Sequence, residues 1–151
     1  MAAETPPGMA EEREFARETR IRDLYAERLA RYRPNERLLR TESGFSGSRK
    51  RADMRTVDSN NLIRVYEFEL VAVYEGLGQA LVYLAMARRE LGLERRVQGV
   101  LAAFRFESEV WKTVEILNLG LELLILPPEL ARAGGVPTGV SKLSLPKFPS
   151  L

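Results

Sequence analysis

Arg51-Ala52-Asp53-Met54-Arg55-Thr56-Val57 and Leu62-Ile63-Arg64-Val65-Tyr66-Glu67-Phe68-Glu69-Leu70 are two β-forming segments separated by the polar stretch Asp58-Ser59-Asn60-Asn61. Strand periodicity puts Asp53, Arg55 and Val57 on one face of the first segment. The same periodicity puts Ile63, Val65, Glu67, Glu69 and Val71 on one face of the second. A three-residue loop at Ser59-Asn60-Asn61 pairs Asp58 with Leu62. Counting back along both strands from that pair sets Asp53 opposite Glu67. Two acids facing each other across a hairpin, with Cβ atoms ~5 Å apart, repel unless a positive group lies between them.

Two readings of these acids stay open on residue type alone. In one, Glu67 and Glu69 are charges of a salt-bridged surface strand. In the other, Asp53, Glu67 and Glu69 are oxygen ligands converging from rigid elements on a hard divalent cation, which would neutralise phosphate charge and activate a water. The second draws support from alternation, because both glutamates occupy the face that carries Ile63, Val65 and Val71, and two unpaired carboxylates there would be costly to bury.

Working outward, residues 10–33 carry a helical pattern with Phe15, Ile21, Leu24, Tyr25 and Leu29 as a broken apolar stripe, stopped by Pro34. Residues 36–45 alternate as a first strand, and Gly44, Ser46, Gly47 and Ser48 mark the loop into the hairpin. A helix over 75–91 presents Leu77, Leu81, Leu84 and Ala87 for burial and ends at Gly92. Val97 to Phe106 contains a buried strand, 107–118 an amphipathic helix with Ser108 as cap, and 121–126 a last strand closed by Pro127-Pro128. The strand–helix–strand order from Val97 to Leu126 predicts a right-handed parallel crossover. The whole predicts an α/β fold with a mixed central sheet, in one domain over 10–130. Residues 1–9 read as a disordered N-terminus and 131–151 as a Pro/Gly-rich extended tail.

The chain has 151 residues, no cysteine and no histidine. Disulfide frames, zinc knuckles, thiol nucleophiles and histidine bases are therefore excluded, and chemistry must use carboxylates, Lys, Arg, Tyr, Ser or an oxygen-held metal ion such as magnesium or manganese. The net charge is +2 and the basic charge is mostly arginine. Over residues 37–69 seven Arg and Lys stand against five Asp and Glu, and Arg49, Lys50, Arg51, Arg55 and Arg64 lie along the hairpin where they could hold a nucleic-acid backbone. No apolar run is long enough to span a bilayer, and the N-terminus lacks a signal pattern, so a cytoplasmic protein without membrane contact is expected.

The pattern Arg51-Ala52-Asp53, Val65-Tyr66-Glu67-Phe68-Glu69-Leu70 and Gly78-Gln79-Ala80-Leu81-Val82-Tyr83 resembles the PD-(D/E)xK nuclease superfamily, nearest to its RecB-like branch with a Gln-x-x-x-Tyr motif. The resemblance implies a three-layer αβββαβ-type nuclease core, here with an extra helix and strand on the C-terminal side. It implies Asp53, Glu67 and the backbone carbonyl of Phe68 as metal ligands for Mg2+ or Mn2+. It also implies Gln79 and Tyr83, four apart on one helical face, as active-site residues. A further Glu from the first helix or strand joins the site in some members; Glu14, Glu18, Glu36 and Glu42 are the choices here. The departure is Glu69, where the family usually has lysine. Glutamate there would serve as general base or extra ligand. The implied function is metal-dependent hydrolysis of DNA, structure-selective or weakly sequence-specific, with DNA as partner and a homodimer as a further expectation. The alternative is a catalytically inactive nuclease-fold module for DNA binding or assembly.

Overall fold

The computed structural model describes residues 7–44 and 51–136. Arg49 and Lys50 lie outside the described residues, as do 1–6 and the tail from 137 onward. The elements in chain order are α1 (Pro7–Glu27), α2 (Leu29–Tyr32), β1 (Glu36–Gly44), β2 (Arg51–Asp58), β3 (Ile63–Ala72), α3 (Tyr74–Leu91), β4 (Val97–Phe106), α4 (Ser108–Leu117), β5 (Leu121–Ile125) and α5 (Pro128–Ala133).

One five-stranded sheet runs β1-β2-β3-β4-β5 in sequence order. The pairs β1–β2 and β2–β3 are antiparallel, and β3–β4 and β4–β5 are parallel through α3 and α4. The mixed α/β sheet expected from the sequence is thus present, with helices on both faces. Below the sheet, Met54, Tyr66, Phe68, Val100 and Phe104 pack with Ile21, Tyr25 and Leu130 of α1 and α5. Above it, Leu101, Ala103 and Leu121 meet Leu77, Ala80, Val110 and Val114 of α3 and α4. Alternation along β3 does this sorting: even positions go to the α1 layer and odd positions to the α3 layer.

The hairpin register follows from its turn. Asp58 N–H donates to Leu62 O at 3.0 Å, and Asn61 adopts φ 61°. Asp58 Oδ1 accepts from Asn60 N–H at 2.8 Å and Leu62 N–H at 3.0 Å. An aspartate that closes its own loop and an asparagine that tolerates the left-handed region make a three-residue connection. The strands then pair Val57 with Ile63 and Met54 with Tyr66. One step further, Asp53 stands across from Glu67.

Three local expectations are revised. The helical pattern before Pro34 is two helices, α1 and the single turn α2, divided at Arg28. Ser108 is the first residue of α4, with Glu107 in the cap position. Pro127-Pro128 ends β5 but also opens α5, because Pro128 occupies a first-turn position where a missing N–H costs nothing.

Candidate active site

The β2–β3 ladder opens beyond the Met54–Tyr66 pair. There the Phe68 N–H, released from strand pairing, donates to Asp53 Oδ2 at 2.8 Å. In an extended strand N–H and C=O of one residue point to the same edge, so the Phe68 carbonyl also faces the gap beside Asp53. The gap lies toward the C-terminal ends of the parallel strands, where open α/β sheets form their crevices.

Glu67 and Glu69 point into this gap from β3 on the α3 side. Glu67 is 7 % exposed, and its Oε2 is buried without a hydrogen-bond partner among the described residues. Burial, with the neighbouring charges of Asp53 and Glu69, pushes its pKa up to about 10. Burial raises Glu69 and Asp53 as well, and the Phe68 N–H and Arg22 oppose the rise at Asp53. Among the first-helix and first-strand glutamates it is Glu18 that reaches the cluster. Burial, and then the charge of Glu69 beside it, raises Glu18 to about 9. Glu14, exposed one turn earlier, contributes charge to Glu18 and Glu69. Glu42 is engaged by Arg22 at 3.3 Å, and Glu36 lies at the other end of the hairpin.

Two carboxylates hydrogen-bond to each other only when one of them holds a proton. Four acids from α1, β2 and β3 therefore sit together, a grouping that shared protons or a cation would stabilise. Among the described residues no three of them converge in ligating geometry. Their donor set is all oxygen, which suits a hard divalent ion.

Helix α3 closes the site from above. A Cβ on Gly76 would lie 2.9 Å from Glu69 Cγ, so the absent side chain leaves room for Glu69 beneath the first turn. Half-buried Tyr83 lies near enough to Glu67, Asp53 and Glu69 for their charges, added to burial, to raise it to about 12. Gln79 precedes it by one turn on the same helical face and is half-buried.

In fold, the chain is similar to solved structures of EndoMS and of a repair endonuclease. A complex of EndoMS with double-stranded DNA aligns at TM-score 0.62 and 24% identity, over 74% of this chain and 44% of that one. A repair endonuclease from Pyrococcus abyssi aligns at TM-score 0.60 and 21% identity, over 84% of this chain and 50% of that one. EndoMS in apo form aligns at TM-score 0.54 and 25% identity, over 72% and 44%. The chain spans about half the length of the solved structures it matches or less. No family model and no curated protein matches the sequence. No helix among the described residues is long and apolar enough to cross a membrane.

The basic residues of the hairpin are arranged differently from expectation. Arg55, 5 % exposed, faces Glu90 at 3.7 Å in the α3 layer. Arg64 binds Asp58 at 2.9 Å and Glu36 at 3.6 Å. Both are turned inward, because strand alternation carries them against helix and loop carboxylates rather than into solvent. The sequence reading did not single out Arg22, a cation near Asp53. The available signal was the buried stripe Ile21, Arg22, Tyr25 and Leu29, which Glu18 extends by one turn toward the site.

Proposed function

We propose that this chain is a magnesium- or manganese-dependent endonuclease of PD-(D/E)xK type, with the Gln79/Tyr83 helix of the RecB-like branch. It would hydrolyse phosphodiester bonds in DNA, selecting structure more than sequence. One observation carries the reading: four carboxylates lie near one another at the open end of the β2–β3 ladder, and one of them, Glu67, keeps a buried oxygen without a hydrogen-bond partner among the described residues. The likeness in fold to repair endonucleases supports it.

Asp53, Glu67 and the Phe68 carbonyl would hold the ion, with Glu18 next to it. A bound divalent cation supplies charge neutralisation and lowers the pKa of a coordinated water. Asp53, held through one oxygen by the Phe68 N–H, stands beside Glu67 for that task. Glu69, between Glu18 and the first turn of α3, would take the proton of a water whose oxygen bonds to phosphorus as the bond to the leaving oxygen breaks. Tyr83 and Gln79 line the α3 side and orient the scissile group or its water. The DNA contacts proposed for Arg49 and Lys50, which lie outside the described residues, and for Arg51 at the start of β2 are kept. Those of Arg55 and Arg64 would require both side chains to leave their present partners.

The test is cleavage of linear, nicked and branched DNA with Mg2+ or Mn2+, beside Glu67→Ala and Glu69→Gln. Metal-dependent cleavage abolished by Glu67→Ala supports the reading. Salt-sensitive DNA binding without cleavage under any of these conditions contradicts it and points to the non-catalytic module.

A further inference from the structure

The two edges of the sheet are built differently. β1 carries exposed Arg37 and Arg40 and a bulge between Leu38 and Arg40, devices that discourage strand addition. β5 has neither. Its one charge, Glu122, is taken by the fork of Arg33 at 2.8 and 2.9 Å on the α1 side. Among the described residues no strand lies beyond it.

The hydrogen bonds to β4 show which groups of β5 are left open. Leu126 N–H donates to Ala103 O, and Gly120 O accepts from Gly99 N–H. The even positions thus face β4, so Leu121, Leu123 and Ile125 turn their N–H and C=O to the open edge. The side chains of Leu121 and Leu123 lie under α4, where with Trp111, Val114, Glu115 and Asn118 they line a cavity of about 320 Å3. The open strand edge and the α4 face that carries Trp111, Glu115 and Asn118 thus border one cavity.

We propose that this surface is the interface of a homodimer, in which β5 pairs antiparallel with β5 of a second copy about a two-fold axis at Leu123. The segment is self-complementary on that axis. Leu123 meets Leu123 of the partner subunit and Leu121 meets Ile125 of the partner subunit, each pair exchanging both N–H···O=C bonds. The charges on α4 favour a second copy over an unrelated partner. Lys112 and Glu115 are exposed and enter no ion pair among the described residues. A two-fold axis that brings two α4 helices together antiparallel sets each Lys112 against Glu115 of the partner subunit.

The inference does not rest on the proposed activity. β5 is separated by β4 from the strand that carries Glu67, so interface variants leave the carboxylate cluster intact. The experiment is sedimentation velocity with the full chain from about 1 to 100 µM, the range that resolves an interface of ordinary size. The expected species has twice the 17.1 kDa mass of the chain. Ile125→Pro removes one outward N–H while sparing the bonds to β4, and Lys112→Glu makes the facing charges alike. Each should raise the dimer dissociation constant at least about tenfold, because the symmetry counts each change twice. Lys112→Glu combined with Glu115→Lys should restore dimerisation to within about threefold of wild type. A monomer throughout the range, or a dimer indifferent to both single variants, overturns the proposal.

Discussion

Glu36, on β1 beside the turn end of the β2–β3 hairpin, and Glu67, at the open end of that hairpin, both have buried side chains. The Glu36 side chain is 4 % exposed and surrounded by donors: Arg33 Nε, Tyr66 OH, and Thr56 Oγ1 at 2.7 Å, with Arg64 at 3.6 Å. Arg33 continues to Glu122, and Arg64 to Asp58. Carboxylate and cation alternate, so the charges at this end are compensated within the fold. At the other end Glu67 is flanked by Asp53, Glu69 and Glu18, and one of its oxygens has no hydrogen-bond partner among the described residues. The same residue type, at similar burial, is structural where the chain supplies its counter-charges, and is the proposed ligand where acids surround it. A fold tolerates an uncompensated buried acid cluster when something outside the chain completes it.

The comparison can be broken most forcefully by removing the two glutamates. Glu67→Ala should lower metal-dependent DNA cleavage by about 10^3-fold or more, since it removes an oxygen that no neighbour replaces. Glu36→Gln should leave Mn2+ affinity within about threefold and cost about 3 kcal/mol of stability, because Arg33 and Arg64 lose a buried counter-charge. For a chain of this size that is a fall in Tm of roughly 6–12 °C by calorimetry. Glu67→Gln should act in the opposite direction on the metal-free protein, raising Tm by a few degrees at pH 8, as it removes an acid that burial disfavours in its charged form. Equal losses of stability from the two Gln variants would erase the distinction.

A smaller effect is expected at Gly76. Gly76→Ala places a methyl against Glu69 Cγ, and the flexible carboxylate must shift to make room. Cleavage should fall roughly tenfold with folding preserved, a displacement of the group rather than its loss. An unchanged rate would show that the position of Glu69 is not critical.

The smallest expected effect is on the pH dependence of stability. Glu67 is raised to about 10 and Glu18 to about 9 by burial and by each other's neighbours. Above the ordinary carboxylate range the unfolded chain has lost protons that the folded chain retains. The contribution of these two groups to the stability of the metal-free protein is therefore greatest below that range and falls as pH rises toward 9–10. Excess EDTA should lower Tm more at pH 8.5 than at pH 6, and Mn2+ should flatten the profile. A metal-free Tm that rises between pH 6 and 8.5 would contradict the assignment.

Much of the hairpin was legible in the sequence, because its determinants are local. Asp58 and Asn61 encode the loop, the loop fixes the register, and the register puts Asp53 across from Glu67. Alternation along β3 placed Glu67 and Glu69 on the face that also carries Ile63 and Val65. The partners of these acids were less legible. Glu18 reaches Glu69 only because α1 crosses the sheet at a particular height, and that height is set by Ile21 and Tyr25 packing against Phe68 and Leu130. Arg55 and Arg64 look like solvent-facing cations along the chain, yet their partners, Glu90, Glu36 and Asp58, come from a helix, another strand and the turn. Helix α5 was hidden for a different reason: a proline pair signals the end of a strand as readily as the start of a helix.

The central claim is that the carboxylate end of the hairpin is completed by a divalent cation. Calorimetric titration of the purified protein with Mn2+ at pH 7.5, in two buffers of different ionisation enthalpy, tests it most directly. The account expects saturable binding with release of protons, since acids held protonated by burial must ionise to bind the ion, and loss of that binding in Glu67→Gln. No saturable uptake up to about 10 mM Mn2+, or binding that Glu67→Gln leaves intact, would contradict it.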